Sequence, residues 1–181
     1  TYTDYGDGNL EETEQLYDMA LSGKGFFAIS YADRNGNESV RYTRDGNFTV
    51  NSQGVLVTKD GDFVLAEDGG LINIPEGVKI SVDESGRITA DGQEIAQLQL
   101  VDFEDYNYLE KFGENMYIAI DGATTKDAQC KVYQGYLEAS NVNVVTEMVD
   151  MITITRDYES NQKVIQTIDS TLEKSVALGR I

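Results

Sequence analysis

Seven dipeptides, Asn35-Gly36, Asp45-Gly46, Asp60-Gly61, Asp68-Gly69, Ser85-Gly86, Asp91-Gly92 and Asp121-Gly122, cut the stretch from Phe26 to Tyr136 into short pieces. Each supplies residues that tolerate positive φ, the backbone geometry of the tight turns that fold one strand back on the next. The pieces between them read as strands: Phe26–Tyr31, Val40–Thr43, Phe48–Val50, Leu56–Thr58, Phe63–Leu65, Leu71–Ile74, Lys79–Val82, Ile88–Ala90, Ile95–Asp102, Met116–Ile120 and Lys131–Tyr136. Several alternate apolar with polar, as in Phe48-Thr49-Val50 and Ile72-Asn73-Ile74, so one face of each can be buried while the other meets water. The expected fold class is mainly β, an antiparallel and hairpin-rich domain, with one long C-terminal α-helix.

The helix announces itself by a change of punctuation. From Asn143 to about Leu178 there is neither Gly nor Pro, and Val145, Met148, Ile152, Tyr158, Ile165, Ile168, Leu172 and Val176 recur at steps compatible with a helical face. Some 34 residues at 1.5 Å each would run roughly 50 Å, well beyond the usual globular helix. Ser140, Asn141 and Asn143 are candidate N-caps. Glu147 and Asp150 suit the positive end of the dipole, Lys174 and Arg180 the negative end, and Gly179 a stop. The expected organisation is a linker and lead-in over residues 1–25, a β domain over 26–137 and an amphipathic helix over 138–181. Because the first residue is Thr and not Met, the sequence is expected to be a piece whose natural beginning is missing.

Charge is divided as unevenly as structure. The 181 residues hold 14 Lys+Arg and 32 Asp+Glu, a net of −18. Six acids and four bases in 141–181 leave −2 there and −16 on 1–140. Such a polyanion repels phosphate backbones and anionic lipid, so nucleic acid is not an expected partner. No apolar run approaches the roughly 20 residues of a spanning helix, and membrane insertion is not expected. A near-neutral helix with an apolar stripe can approach copies of itself; composition leaves equally open that the stripe packs on its own β domain.

The chemistry on offer is narrow. His and Trp are absent and Cys130 is alone, which removes His-dependent nucleophile pairs, His-bearing zinc sites, CxxC redox motifs and internal disulfides. Cys130, in a strand-like run, is expected to be a small buried apolar residue. The acidic pairs Glu11/Glu12, Glu67/Asp68, Asp83/Glu84 and Glu104/Asp105 are what chance gives a chain with 32 acids, and none is assigned catalysis. Asp4 to Asn9 lacks the ligand spacing of a calcium loop. Gly23-Lys24-Gly25-Phe26-Phe27 has neither the spacing of a phosphate-binding loop nor a helix after it; it reads as a tight turn delivering two aromatics to a core. The 11 Tyr residues, without regular spacing, read as strand residues and polymer contacts and not as a carbohydrate or peptide platform. No catalytic, cofactor-binding or metal-ligating residue is assigned.

Two segments resemble the signatures of the bacterial flagellar rod and hook axial proteins. The first runs from Gly8-Asn9-Leu10 and Thr13 through Asp18-Met19-Ala20-Leu21-Ser22-Gly23-Lys24-Gly25-Phe26-Phe27, and continues in Tyr42-Thr43-Arg44-Asp45-Gly46-Asn47-Phe48. The second is Gly135-Tyr136-Leu137-Glu138-Ala139-Ser140-Asn141-Val142-Asn143-Val144-Val145 through Glu147-Met148, then Arg156-Asp157-Tyr158-Glu159-Ser160-Asn161. Residues 86–131 match only loosely. The family begins with an amphipathic helix that nothing before Gly8 can supply.

The resemblance implies a structural subunit of the basal-body rod, exported across the inner membrane into the cell envelope. Its partners would be copies of itself and other rod, hook and ring proteins, in a hollow shaft that carries torque to the hook and passes exported subunits. It implies helix packing through Val145, Met148, Ile152, Tyr158, Asn161, Ile165, Ile168 and Leu172, with Tyr158, Glu159 and Asn161 setting register and the acidic β domain facing outward. A hook protein or another axial relative is the near alternative. A secreted adhesin-like binding module and a carboxylate hydrolase are the alternatives of other classes; neither accounts for an apolar stripe on a near-neutral helix.

Overall fold

The computed structural model describes residues 5–33 and 36–178. Asp4, Asn35, Gly179, Arg180 and the side chain of Val176, all used in the sequence reading, lie outside the described residues. The chain divides into two compact units, residues 1–139 and 140–181.

The first unit is built of short strands: β1 (Leu10–Glu12), β2 (Met19–Lys24), β3 (Phe26–Ala32), β4 (Glu38–Thr43), β5 (Phe48–Val50), β6 (Leu56–Thr58), β7 (Phe63–Val64) and β8 (Ile80–Val82). There follow β9 (Arg87–Ala90), β10 (Gln93–Gln97), β11 (Leu100–Phe103), β12 (Leu109–Phe112), β13 (Met116–Ala119), β14 (Thr125–Asp127), β15 (Gln129–Gln134) and β16 (Tyr136–Glu138). The largest sheet runs β12-β13-β4-β3-β7-β6-β5, with β11 joining β3 to β14. A second sheet is β10-β9-β8, and two ribbons pair β15 with β2 and β1 with β16, every pairing antiparallel. The mainly β reading with one long terminal helix holds.

Three strand expectations need correcting. Leu71–Ile74 forms isolated bridges, Leu71 to Leu65 and Asn73 to Val55, because Pro75 and the turn at Gly77 end it before a ladder can grow. Ile95–Asp102 splits into β10 and β11, which belong to different sheets. Lys131–Tyr136 is interrupted at Gly135 (φ 79°), which lets β15 pair β2 while β16 turns to β1. Residues 19–24, ahead of the first expected strand, form a strand of their own, and Met19, Ala20 and Leu21 are buried.

Phe26 and Phe27 do not enter one core. Adjacent residues of a strand point to opposite faces. Phe27 therefore joins Met19, Leu21, Ile29, Phe48, Leu56, Ile72, Ile88, Leu98 and Val132 in the main core. Phe26 joins Phe103 and Leu109 in a second, aromatic cluster with Tyr5, Tyr42, Tyr106 and Tyr117 packed around it. Phe26 meets the rings of Tyr106 and Phe103 edge-on, at centroid distances of 5.9 and 6.0 Å.

The second unit is α1 (Val144–Leu178), a single 35-residue helix. Of the three candidate caps, Asn143 does the work: its Oδ1 accepts from the backbone N–H of Val145 (3.0 Å) and Thr146 (3.3 Å). Ser140 Oγ accepts from Val142 N–H one turn earlier. No helix of the described residues is long and apolar enough to cross a membrane.

Candidate assembly surface and its brace

The motif residues Tyr42 to Gly46 have separate and identifiable jobs. Tyr42 stacks edge-on to Phe103 at 4.9 Å, and burial pushes its phenol pKa up. Thr43 is buried and its hydroxyl donates to the Asn115 carbonyl (2.7 Å). Asp45 accepts from the Asn47 N–H with one oxygen and from the Asn115 amide with the other (2.8 Å), fixing the turn to the loop before β13. Gly46 is not in the left-handed region expected for an Asp-Gly turn. Glycine is required there because a Cβ would drive into the Met19 carbonyl, whose own N–H donates to the Gly46 oxygen at 3.0 Å.

Arg44 is the centre of the constellation. Its Nε donates to Glu138 Oε2 (2.9 Å), one Nη to Glu138 Oε1 (3.1 Å) and Asp7 Oδ1 (3.1 Å), and the other to the carbonyls of Gly23 (3.0 Å) and Gly25 (3.4 Å). All five N–H donors of the guanidinium are used. Burial alone would lower its pKa, but the carboxylates of Glu138 and Asp7 outweigh that and raise it, so the charge is secure. Gly23 (φ 103°) presents its carbonyl to Arg44 and its N–H to Asp7 Oδ2. Gly25 leaves no room for a Cβ against Cys130 Sγ; Cys130 is half-buried, and burial pushes its thiol pKa up, as suits a packing residue. Glu138 stands in the second motif, whereas Asp7 and Asn115 stand in neither; all three lie far along the chain from their partners, so the sequence does not show the pairings.

The helix residues chosen from the sequence do not lie on one stripe. At roughly 100° per residue, Met151, Ile154, Tyr158, Asn161, Ile165, Ile168 and Leu172 follow one another at alternating steps of three and four, a strict heptad seam. Val145, Met148 and Ile152, with Val149, lie on the opposite side. The helix is therefore apolar on two faces near its start and on one face further along. A single helix has no second element within its own unit to cover either face, and Val145, Tyr158 and Ile165 are 71%, 69% and 59% exposed. Its composition adds to the need for cover, because the β-branched residues crowding 144–155 are poor helix formers that rely on packing. The hydroxyls of Thr153, Thr155, Thr167 and Thr171 bond back to carbonyls four residues earlier, satisfying themselves inside the helix.

Elsewhere the β unit carries open, polar clefts. One of them, about 760 Å³, is lined by Tyr5, Lys24, Asp105, Tyr106, Lys111 and Lys126. Beneath it Asp102, 1% exposed, accepts from Tyr106 Oη (2.7 Å) and pairs with Lys126 Nζ (3.1 Å). Burial pulls the Asp102 carboxyl pKa up. The hydrogen bonds from Tyr106, Lys126 and its neighbour's N–H outweigh that and hold it below the usual range, while Tyr106 is pushed well above its own. Among the described residues no group of three or more His, Cys, Asp or Glu could hold a metal ion.

A tightly braced β unit followed by a helix with two bare apolar faces is the build of a subunit completed by other chains. Comparison with known proteins agrees. Residues 20–90 match the family model described as the flagellar hook protein FlgE/F/G D1 domain, and 133–178 that of the flagellar basal body rod FlgEFG protein C-terminal. The chain is 38% identical to the flagellar basal-body rod protein FlgG of Buchnera aphidicola subsp. Schizaphis graminum, over 94% of this chain and 68% of that protein. It is 37% identical to the rod protein FlgF of Caulobacter vibrioides (94% and 67%) and 34% to FlgG of Bacillus subtilis (94% and 68%). The chain belongs to the flagellar rod and hook axial family, and spans about two thirds of the length of these relatives. Of the classes weighed from the residues, the family is the structural one, not the enzyme or the adhesin.

Proposed function

We infer that this chain is a structural axial subunit of the bacterial flagellar basal-body rod, and within that family a distal rod subunit. It polymerises into the hollow shaft that carries torque from motor to hook and passes exported subunits. Repeated head-to-tail contact between identical chains builds such a shaft and needs complementary surfaces, not a reaction centre. The observation that carries the reading is the 38% identity to a flagellar rod protein across 94% of the chain, together with the helix and its bare apolar faces. The residues that bury in the wall are Val145, Met148, Ile152, Tyr158, Asn161, Ile165, Ile168 and Leu172. Asn161, the polar member of an otherwise apolar seam, fixes register at some expense in stability. Rod, hook and ring proteins are its neighbours, and the strongly acidic β unit forms the outer layer and keeps unassembled chains soluble during export. Deleting residues 144–181 from the full-length protein leaves the β unit folded by circular dichroism and abolishes rod assembly in a complementation assay. Normal motility of that deletion strain refutes the role given to the helix.

A further inference from the structure

Arg44 ties to its own segment three pieces of chain that are remote from one another in sequence. Asp7 is 37 residues from it and Glu138 is 94. Gly23 and Gly25 flank the corner between β2 and β3. The two carboxylates are themselves crossed: Asp7 Oδ2 accepts from Gly23 N–H (3.1 Å), and Glu138 Oε1 accepts from Gly8 N–H (2.8 Å). The lead-in is thus held by the exit strand, and the corner by the lead-in, with one guanidinium bonded to all of them.

The β1–β16 ribbon that this brace touches is anchored at its Thr13–Gly135 end by Asp18, whose carboxylate accepts from the Thr13 hydroxyl (2.6 Å) and whose carbonyl accepts from Gly135 N–H (2.8 Å). β1 is exposed along its whole length and, among the described residues, pairs with β16 alone. Backbone bonds continue the ribbon at both ends, Thr13 N–H to the Gly135 carbonyl and Ala139 N–H to the Asn9 carbonyl, each 2.8 Å. At Gly8 the two backbones pass so closely that a Cβ would collide with the Ala139 carbonyl. A two-stranded ribbon is marginal by itself in water. At the opposite, Gly8–Ala139 end it is the guanidinium that ties this one to the main sheet, since Arg44 follows directly on β4 and grips Glu138.

We propose that Arg44 is a positioning residue that locks the β1–β16 ribbon to the β unit, so that the chain's lead-in and its exit toward the helix are held as one piece. Lysine cannot replace it: its ammonium has three donors and no planar fork to span two carboxylates and two carbonyls. Under the rod reading, on which this consequence rests, the locked ribbon passes twist between the helical wall and the β layer.

Hydrogen exchange on the full 181-residue chain tests the lock without any polymer. In Arg44→Lys, the amides of Gly8 and Ala139 exchange at least roughly tenfold faster while those of Phe27 and Ile29 are unchanged. Asp7→Asn, which removes one arm at a half-exposed site, gives a smaller acceleration of the same amides. Equal acceleration of all amides in Arg44→Lys, or none at the ribbon, overturns the proposal. In a complementation strain, Arg44→Lys assembles rods but swims more slowly than wild type. Wild-type swimming with a loosened ribbon overturns the mechanical step alone and leaves both the lock and the rod reading standing.

Discussion

The two units of this chain solve the problem of apolar surface in opposite ways. The β unit covers its own: Phe27, Leu56, Ile72 and Ile88 are at most 1% exposed, and even the polar Thr43 and Asp102 are buried with their hydrogen bonds made. The helix leaves Val145, Met148, Ile165 and Ile168 more than half exposed. A sheet folded on itself supplies both sides of its core, whereas a lone helix can supply only one. The difference separates what keeps the subunit folded from what joins it to others, so mutations in the two units have different consequences.

The most damaging change to the β unit is Phe27→Ala, which empties the centre of the main core and costs about 3–5 kcal/mol, read as a fall in thermal midpoint. Close behind, Arg44→Met leaves Asp7 and Glu138 without their cation and costs about 3 kcal/mol by urea unfolding. Asp102→Asn costs about 1–2 kcal/mol at neutral pH. Its pKa is depressed in the fold, so the stabilisation is complete above the ordinary Asp range near pH ~4 and is lost as pH falls through the lowered folded value. The variant accordingly loses less stability than wild type on acidification, and an acid titration of the midpoint checks this. Asn143→Ala takes about 1 kcal/mol from the helix alone, visible as frayed helix signal near 222 nm. Smallest of all, Ile165→Ala changes the unfolding free energy of the free chain by less than about 0.5 kcal/mol, yet impairs rod assembly. A large loss of stability in that last variant would break the contrast between the units.

Much of this was legible in the sequence. Phe48–Val50 and Leu56–Thr58 coincide with β5 and β6, and the helix begins at Val144 beside its expected cap. Turn chemistry and capping act over a few residues, so a few residues suffice to read them. The two faces of the helix were also legible, since the angle between Ile152 and Ile165 follows from their spacing; what hid them was treating the apolar positions as one set. The candidate site was half legible. The motifs named Arg44, Gly23, Gly25 and Glu138 but neither Asp7 nor Asn115, and nothing in them showed that Arg44 and Glu138 meet.

By itself, then, the sequence determined where strands turn, where the helix starts and which of its positions are apolar, all consequences of local backbone preference and period. The tertiary structure decided that residues 19–24 pair with β15, that Phe26 and Phe27 serve two cores, and that Gly46 is glycine for a neighbour's backbone and not for its own φ. It also decided that one guanidinium closes on Asp7 and Glu138. Those choices depend on which distant strands meet and in what register, and that is settled by the packing of the whole sheet.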